Sequence, residues 1–159
     1  MGPTALETLL EQAVNLYKKK NYDGALKFIE SQKAKFDKNA IALNIQAACL
    51  TELEQFEKAE KAYLAAIRIN PKYVEAYNNI ANLYVRLEKF QIALEFYKKA
   101  ITFQPKYIDA LYNLGILYEI LNDYGLALKA YKTAKDLQPL SSHLTYCVGN
   151  MHWKLGDDE

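Results

Sequence analysis

The sequence predicts an all-α fold, an α-solenoid of tandem helix–turn–helix repeats, and three observations support this prediction. Three prolines are spaced 34 residues apart: Pro71, Pro105 and Pro139. Blocks 40–73 and 74–107 share 13 identical positions, and 74–107 and 108–141 share 12, whereas unrelated segments of average composition would share roughly two. Within each block, apolar residues recur at three- and four-residue steps, which is the period of a helix.

Block 74–107 illustrates the two helices of a unit. Apolar residues from Tyr77 to Leu87 form one helical face, and a second periodic run starts at Phe90 and continues to Ile101. Pro105 then closes the unit, because proline disfavours a helical conformation of the residue before it. About four turns are too few to bury a face alone, so neighbouring units are expected to stack.

Tyrosine and alanine recur at the same 34-residue step. The tyrosines are Tyr63, Tyr97 and Tyr131, and the alanines that precede them are Ala59, Ala93 and Ala127. Small residues allow two helices to approach closely, and large ones fill the space that a neighbour leaves. We therefore expect the three tyrosines to be mostly buried between repeats.

A 34-residue helix–turn–helix unit with these small residues and a closing proline resembles the tetratricopeptide repeat. Block 108–141 matches the family pattern at eight positions: Leu111, Leu114, Gly115, Tyr118, Ala127, Tyr131, Ala134 and Pro139. The resemblance implies a right-handed superhelix in which the first helix of each unit lines the concave surface.

The resemblance implies one repeat domain over residues 6–155, with no strand and nine helices. Its units are 6–39, 40–73, 74–107, 108–141 and a half-repeat or cap helix, 142–155. The first unit is degenerate, because Gln32 and Asp37 replace the late alanine and the proline. We expect residues 1–5 to be vector-derived or disordered and 156–159 to be an acidic tail. The chain stops inside a unit, which favours a fragment of a longer array over a natural cap.

The last helix shows its own pattern. Four apolar residues recur at helical spacing and are expected to pack on 126–137: Leu144, Val148, Met151 and Leu155. If a partner helix is missing, its far side exposes apolar groups, for which Val148 and Trp153 are the candidates. Exposed apolar surface promotes association, so this helix predicts self-association as one alternative.

Composition excludes several classes of function. Twenty Lys and Arg balance 19 Asp and Glu, and the basic residues are spread evenly, with 11 in 1–79 and nine in 80–159. A nucleic-acid or membrane-surface module would concentrate positive charge, so we expect neither partner. Two cysteines form no disulfide framework and the chain starts without a signal peptide, so we expect a cytoplasmic protein.

The sequence contains no catalytic constellation. It has neither of the glycine-rich phosphate-binding motifs, and its two histidines both lie in the last seventeen residues. His143 and Cys147 are four residues apart and share a helix face, but a zinc site needs three or four ligands. We interpret them as ordinary groove or core residues and Cys49 as a small core residue. We therefore expect no cofactor, no metal and no enzymatic activity.

The family resemblance assigns the binding surface to the exposed side of each first helix. Carried onto this chain, the expected peptide-binding residues are Asn44, Asn78, Asn79, Asn82, Arg86, Tyr112, Asn113, Glu119, Tyr146 and Asn150. Asparagine is a poor residue inside a helix, because its side chain competes for the backbone. Its amide can donate to and accept from a peptide bond irrespective of the ligand's side chains.

Asn79 and Asn113 occupy equivalent places one repeat apart. The pair is similar to the asparagine ladder of the tetratricopeptide superhelix in the O-linked N-acetylglucosamine transferase, which implies amides free of helix partners and directed into the groove. The alternative is that these amides bond to neighbouring helices or water.

Some co-chaperones of this family clamp the C-terminal carboxylate of a chaperone with lysine and asparagine. At the corresponding positions this chain has Leu10, Val14 and Glu75, so we do not expect that clamp.

The leading hypothesis is a non-enzymatic scaffold whose groove holds a peptide or helical segment of a partner protein. Glu52, Glu75, Asp109 and Glu119 favour a ligand with some basic character. One alternative is a substrate-targeting arm of a larger enzyme, such as a glycosyltransferase. The other is an array that assembles with copies of itself through its last helix.

Overall fold

The computed structural model describes residue 2 and residues 4–156. Within these residues the chain forms ten helices and no strand, so the all-α prediction is confirmed. The helices are α1 Ala5–Lys18, α2 Tyr22–Ser31, α3 Lys33–Phe36, α4 Ala40–Glu52, α5 Phe56–Ile69, α6 Val74–Arg86, α7 Phe90–Phe103, α8 Ile108–Ile120, α9 Tyr124–Leu137 and α10 Ser142–Leu155. Residues 1 and 3 of the predicted N-terminal segment and residues 157–159 of the predicted acidic tail lie outside the described residues.

The first helix begins earlier than the sequence predicts. Ala5 is helical, and Thr4 caps the helix by accepting a hydrogen bond from the Glu7 backbone N–H at 3.2 Å. The Glu7 carboxylate accepts one from the Thr4 N–H at 2.6 Å, which completes a capping box. Thr4 and Ala5, at the end of the segment expected to be vector-derived or disordered, therefore form the capped start of α1.

Helix α3 is the additional element, which the sequence did not predict. Helix α2 ends at Ser31, and Gln32 (φ −103°, ψ 17°) interrupts the helical path before four residues resume it. The interruption coincides with the degenerate end of the first repeat. It places Phe36, only 2% exposed, in a core with Ile29 and Ala42. Nine helices were expected because the later repeats have alanine at the position of Gln32, and their second helices continue through it.

The turn inside each repeat follows one backbone plan. Four non-glycine residues have a left-handed φ of 56–59°, and they are spaced 34 residues apart: Lys20, Glu54, Glu88 and Asn122. In each case the next backbone N–H donates to the carbonyl five residues earlier, as in a Schellman cap; Gln55 N to Leu50 O is 2.8 Å. Gly156, at φ 76°, continues the series. The backbone thus supports the predicted register in the degenerate first repeat and at the start of a fifth.

The chain divides into two compact units between Leu83 and Tyr84. In the first unit, α4 packs on α1, α2 and α5. Its main core contains Ala13, Ile29, Phe36 and Cys49. The placement of Cys49 in a core is confirmed, and burial raises the pKa of its thiol to about 11. The description of the chain as a single domain stays a prediction.

In the second unit, α8 packs on α7 and α9, and α9 packs on α10. Tyr97 and Tyr131 are buried here, as Tyr63 is in the first unit, so the prediction that all three are buried is confirmed. Helix α10 is partly as expected. Leu144, Val148 and Met151 are buried, while Leu155 is 43% exposed. The packing expected for Leu155 and the exposure expected for Val148 are therefore wrong.

Candidate functional site

A chain of side-chain hydrogen bonds crosses the first helices of the first unit. The Asn78 amide donates to Asn79 Oδ1 at 3.4 Å, and the Asn79 amide donates to Asn44 Oδ1 at 3.2 Å. The Asn44 amide in turn donates to the Tyr73 hydroxyl at 3.4 Å. Burial, and after it the charge of Glu75, raises the pKa of Tyr73 to about 12, so the phenol is neutral at physiological pH. We call Asn44, Tyr73, Asn78 and Asn79 the asparagine chain.

This arrangement corrects the prediction of free amides. Asn79 on α6 is held by Asn44 on α4, and Asn113 in the second unit also has an interaction partner. Asn44 and Asn78 are only 8% and 5% exposed, which withdraws both from direct contact with a ligand. The sequence shows the 34-residue recurrence of asparagine, but it does not show that two of these side chains meet across a helix pair.

Asn79 is the member of the asparagine chain that keeps capacity for a ligand. Its side chain is half-buried. An amide offers two N–H donors and two acceptor lone pairs, and within the described residues Asn79 uses one of each. One donor and one acceptor remain, which is the set that brackets the C=O and N–H of a peptide bond. The contact with Asn44 holds the amide in one orientation.

A second feature of the first unit is a groove between α1 and α4, with a volume of about 540 Å³. Leu10, Val14 and Ile41 supply apolar surface, and the charged lining is two acids and one base: Glu7, Glu11 and Lys18. Leu10 and Val14 are the positions where a carboxylate clamp would need lysine and asparagine. At these two positions the groove therefore presents apolar side chains and not the lysine and asparagine of that clamp.

The second unit gathers polar and aromatic side chains from three helices. Tyr112 on α8 lies with its hydroxyl 2.7 Å from His143 Nε2 on α10, and the two rings are 5.2 Å apart. His143 Nε2 is also 4.0 Å from the Cys147 sulfur. The Tyr131 hydroxyl on α9 donates to Glu119 Oε1 at 2.5 Å. Burial raises the pKa of Tyr131, and the bond to the Glu119 carboxylate adds to that rise.

The remaining expected residues are placed as follows. Asn82, Tyr112, Asn113, Glu119 and Asn150 are half-buried, Arg86 is exposed, and Tyr146 is 70% exposed. Glu119 is occupied by Tyr131, so its charge is not freely available to a ligand. Sequence reasoning missed Tyr73 and Tyr131 as partners of the expected groove residues. The only sequence signal for these two residues is that each tyrosine recurs at the 34-residue step, and burial in the core explains that recurrence equally well.

The described part of the chain contains no group of three or more His, Cys, Asp and Glu side chains placed to hold a metal ion. His143 and Cys147 come together but gain no third ligand. Burial raises the pKa of the Cys147 thiol, which disfavours the thiolate that metal binding requires. Among the described helices, none has the length and apolar character required to cross a bilayer.

Comparison with known protein families identifies the repeat. A family model described as tetratricopeptide repeat matches residues 74–107 and 108–139. A second model, described as TPR repeat, matches residues 50–88. Together the two models cover residues 50–139, more than half of the chain.

A curated relative and two solved structures resemble this chain. Coatomer subunit epsilon of Dictyostelium discoideum is 32% identical over 87 residues, 54% of this chain and 29% of the subunit, so the chain spans less than a third of that relative. PilF of Pseudomonas aeruginosa gives a TM-score of 0.87 at 14% identity, over 96% of this chain and 70% of the other. The first TPR of Spaghetti (RPAP3), bound to an HSP90 peptide, gives 0.68 at 21% identity, over 74% of this chain and 93% of the other. At these identities the two structures show a shared fold.

Proposed function

Because the chain belongs to the tetratricopeptide repeat family, we propose that it is a non-enzymatic scaffold that binds a peptide segment of a partner protein on the surface of its first helices. The observation that carries this proposal is the asparagine chain, in which a half-buried amide at Asn79 is oriented by Asn44 and keeps one donor and one acceptor. Such an amide recognises a peptide backbone. Peptide binding by the Spaghetti repeat, a protein of similar fold, supports the proposal.

Charge favours a ligand with some basic character. Glu7 and Glu11 line the groove between α1 and α4 against one lysine, Lys18, and Glu75 is exposed at the start of α6. These carboxylates would attract lysine or arginine next to an apolar anchor that contacts Leu10 and Val14. The same charges would repel an acidic chain terminus, so the proposed ligand differs in chemistry from a chaperone tail.

Changing Asn79 to alanine should weaken binding of such a peptide by about two- to tenfold, because the hydrogen bonds that its amide supplies are worth about 0.5–1.5 kcal/mol. The ligand is a peptide selected from a displayed random library against the wild-type chain. Fluorescence anisotropy measures the affinity, and thermal melts measure the fold of each variant. Unchanged affinity would contradict the proposed role of the Asn79 amide.

The control is Asn44→Ala, which removes the partner that orients Asn79 but removes no side chain that a ligand touches. We expect it to weaken binding less than Asn79→Ala does. If instead the two single variants lose affinity equally and their melting temperatures fall together, the asparagine chain holds the helices in place and does not contact the peptide.

A second function, self-association through α10, is favoured by one observation. Tyr146 and Trp153 are 70% and 67% exposed on this helix, with Gly149 between them. The Lys154 Nζ lies 5.6 Å from the Trp153 ring centroid and so covers part of that ring, but most of the indole stays at the surface. Exposed aromatic surface of this kind commonly marks an interface.

We expect sedimentation equilibrium to show dimers whose fraction rises with protein concentration. The double variant Tyr146→Ser, Trp153→Ser should stay monomeric at every concentration. Leu126→Ser, which changes an exposed apolar residue on α9, should leave the dimer fraction as in wild type. A wild-type chain that is monomeric throughout would contradict this second function.

A further inference from the structure

The first unit carries a second groove, on a different side of α4 from the asparagine chain. Its floor is formed by Leu43, Gln46 and Leu50 of α4, and its volume is about 640 Å³. At about 100° of rotation per residue, these three side chains lie about 100–160° around α4 from Asn44. We call this cavity the outer groove.

Both walls of the outer groove carry lysine. Helix α2 supplies Lys27, and α5 supplies Lys58 and Lys61. Lys27 and Lys61 are equivalent residues one repeat apart, and both are exposed. Among the residues that the structure describes, neither ammonium group makes an ion pair or a hydrogen bond.

The acid in the outer groove is already neutralised. Glu30 on α2 accepts a charged hydrogen bond from Lys33 at 3.3 Å. Lys58 donates to the neutral Gln55 side chain at 2.8 Å and so keeps its full charge. The groove therefore presents an apolar floor between two walls of positive charge.

That combination specifies the occupant. A ligand must place an apolar stripe against Leu43 and Leu50 and carboxylates on both borders of the stripe. Side chains of an extended strand point alternately to two opposite faces, whereas a helix can present a stripe with flanking residues on both sides. We infer that the outer groove binds an acidic amphipathic helix of a partner protein, with Lys27 on one border and Lys58 and Lys61 on the other.

The inference goes beyond the proposed function, because it concerns another face, a helical ligand and the opposite ligand charge. The degenerate first repeat lies next to the site, since a cavity beside α3 shares Glu30, Leu43 and Gln46 with the outer groove. The residues that depart from the repeat pattern, from Gln32 onward, thus lie beside the outer groove.

The probe is a fluorescein-labelled peptide of about 18 residues, long enough to form a helix. Leucine at every third and fourth position forms its stripe, and glutamate forms both borders. Anisotropy titrations of the full chain should show that Lys27→Glu, Lys61→Glu weakens binding by about tenfold or more, because both borders then repel the ligand. The matched control is Lys129→Glu, Lys132→Glu on α9, which makes the same change in net charge in the other unit. It should alter the affinity by less than about twofold.

A second variant tests the floor. Gln46→Glu keeps the side-chain size and places a carboxylate against the apolar stripe, so it should also weaken the probe by about tenfold. Asn79→Ala should leave probe binding unchanged, which separates this inference from the fate of the proposed function. Circular dichroism confirms that each variant is folded. Equal losses in the Lys27/Lys61 variant and its control, or no loss with Gln46→Glu, would overturn the inference.

Discussion

Replacing Tyr131 with alanine should lower the free energy of unfolding by about 3–5 kcal/mol, the usual cost of removing a large buried side chain. Tyr131 is 1% exposed, and its ring lies between α8 and α9, 5.8 Å from the ring of Tyr112. Its hydroxyl also donates to Glu119, so the substitution leaves a cavity and removes the partner of a carboxylate. Urea denaturation followed by circular dichroism measures the change.

Tyr146→Ala provides the control, since it makes the same chemical change at a tyrosine that is 70% exposed on α10. It should lower the free energy of unfolding by less than about 0.5 kcal/mol. A comparable value for Tyr131→Ala would show that this tyrosine is not packed in the predicted register.

Sequence reasoning predicts most of this fold because the repeat provides the same information several times. Tyr63, Tyr97 and Tyr131 recur at a 34-residue step, and all three are buried. Where the pattern is interrupted, the prediction fails. Gln32 marks a departure from the repeat pattern, but it does not show that the chain stops there and restarts as α3, with Phe36 buried.

The turns show a second limit of sequence reasoning. Lys20, Glu54 and Glu88 adopt a left-handed φ that is usually associated with glycine or asparagine. Nothing in their side chains indicates this conformation, since the six-to-one hydrogen bond of the turn imposes it. Only the repetition of the turn, visible once the backbone is known, shows that it is a regular feature of the repeat.

The binding surface is less predictable than the fold. Periodicity selects the side of the helix on which Asn44 and Asn79 lie, but their separation depends on how far each helix is rotated about its axis. A rotation of one residue's step changes which side chains meet. The bond between these two amides, and the burial of Asn44, therefore follow from packing that the sequence pattern does not encode.

Two glycines in equivalent places, Gly115 on α8 and Gly149 on α10, provide a sharp test of the packing. A Cβ atom added to Gly115 would lie 2.4 Å from Cε1 of Tyr131, whereas one added to Gly149 would have nothing within 4 Å. The two glycines thus have the same place in the repeat, but Gly115 is packed against a ring and Gly149 faces open space. Even the methyl group of alanine would meet the Tyr131 ring at Gly115, and leucine adds further atoms, so leucine distinguishes the two positions most clearly.

Gly115→Leu should lower the free energy of unfolding by about 3 kcal/mol, because the buried ring of Tyr131 has no space to move into. Gly149→Leu should raise it by about 0.5–1 kcal/mol, because leucine favours a helix more than glycine does and meets no neighbour. Urea denaturation at low protein concentration measures both variants.

If Gly115→Leu proves too unstable to measure, Gly115→Leu combined with Tyr131→Ala gives a second measurement. The pair should cost less than the sum of the two single changes, because the leucine occupies the space that the ring vacates. Similar effects of leucine at the two glycines, or strict additivity of the pair, would contradict the contact between Gly115 and Tyr131.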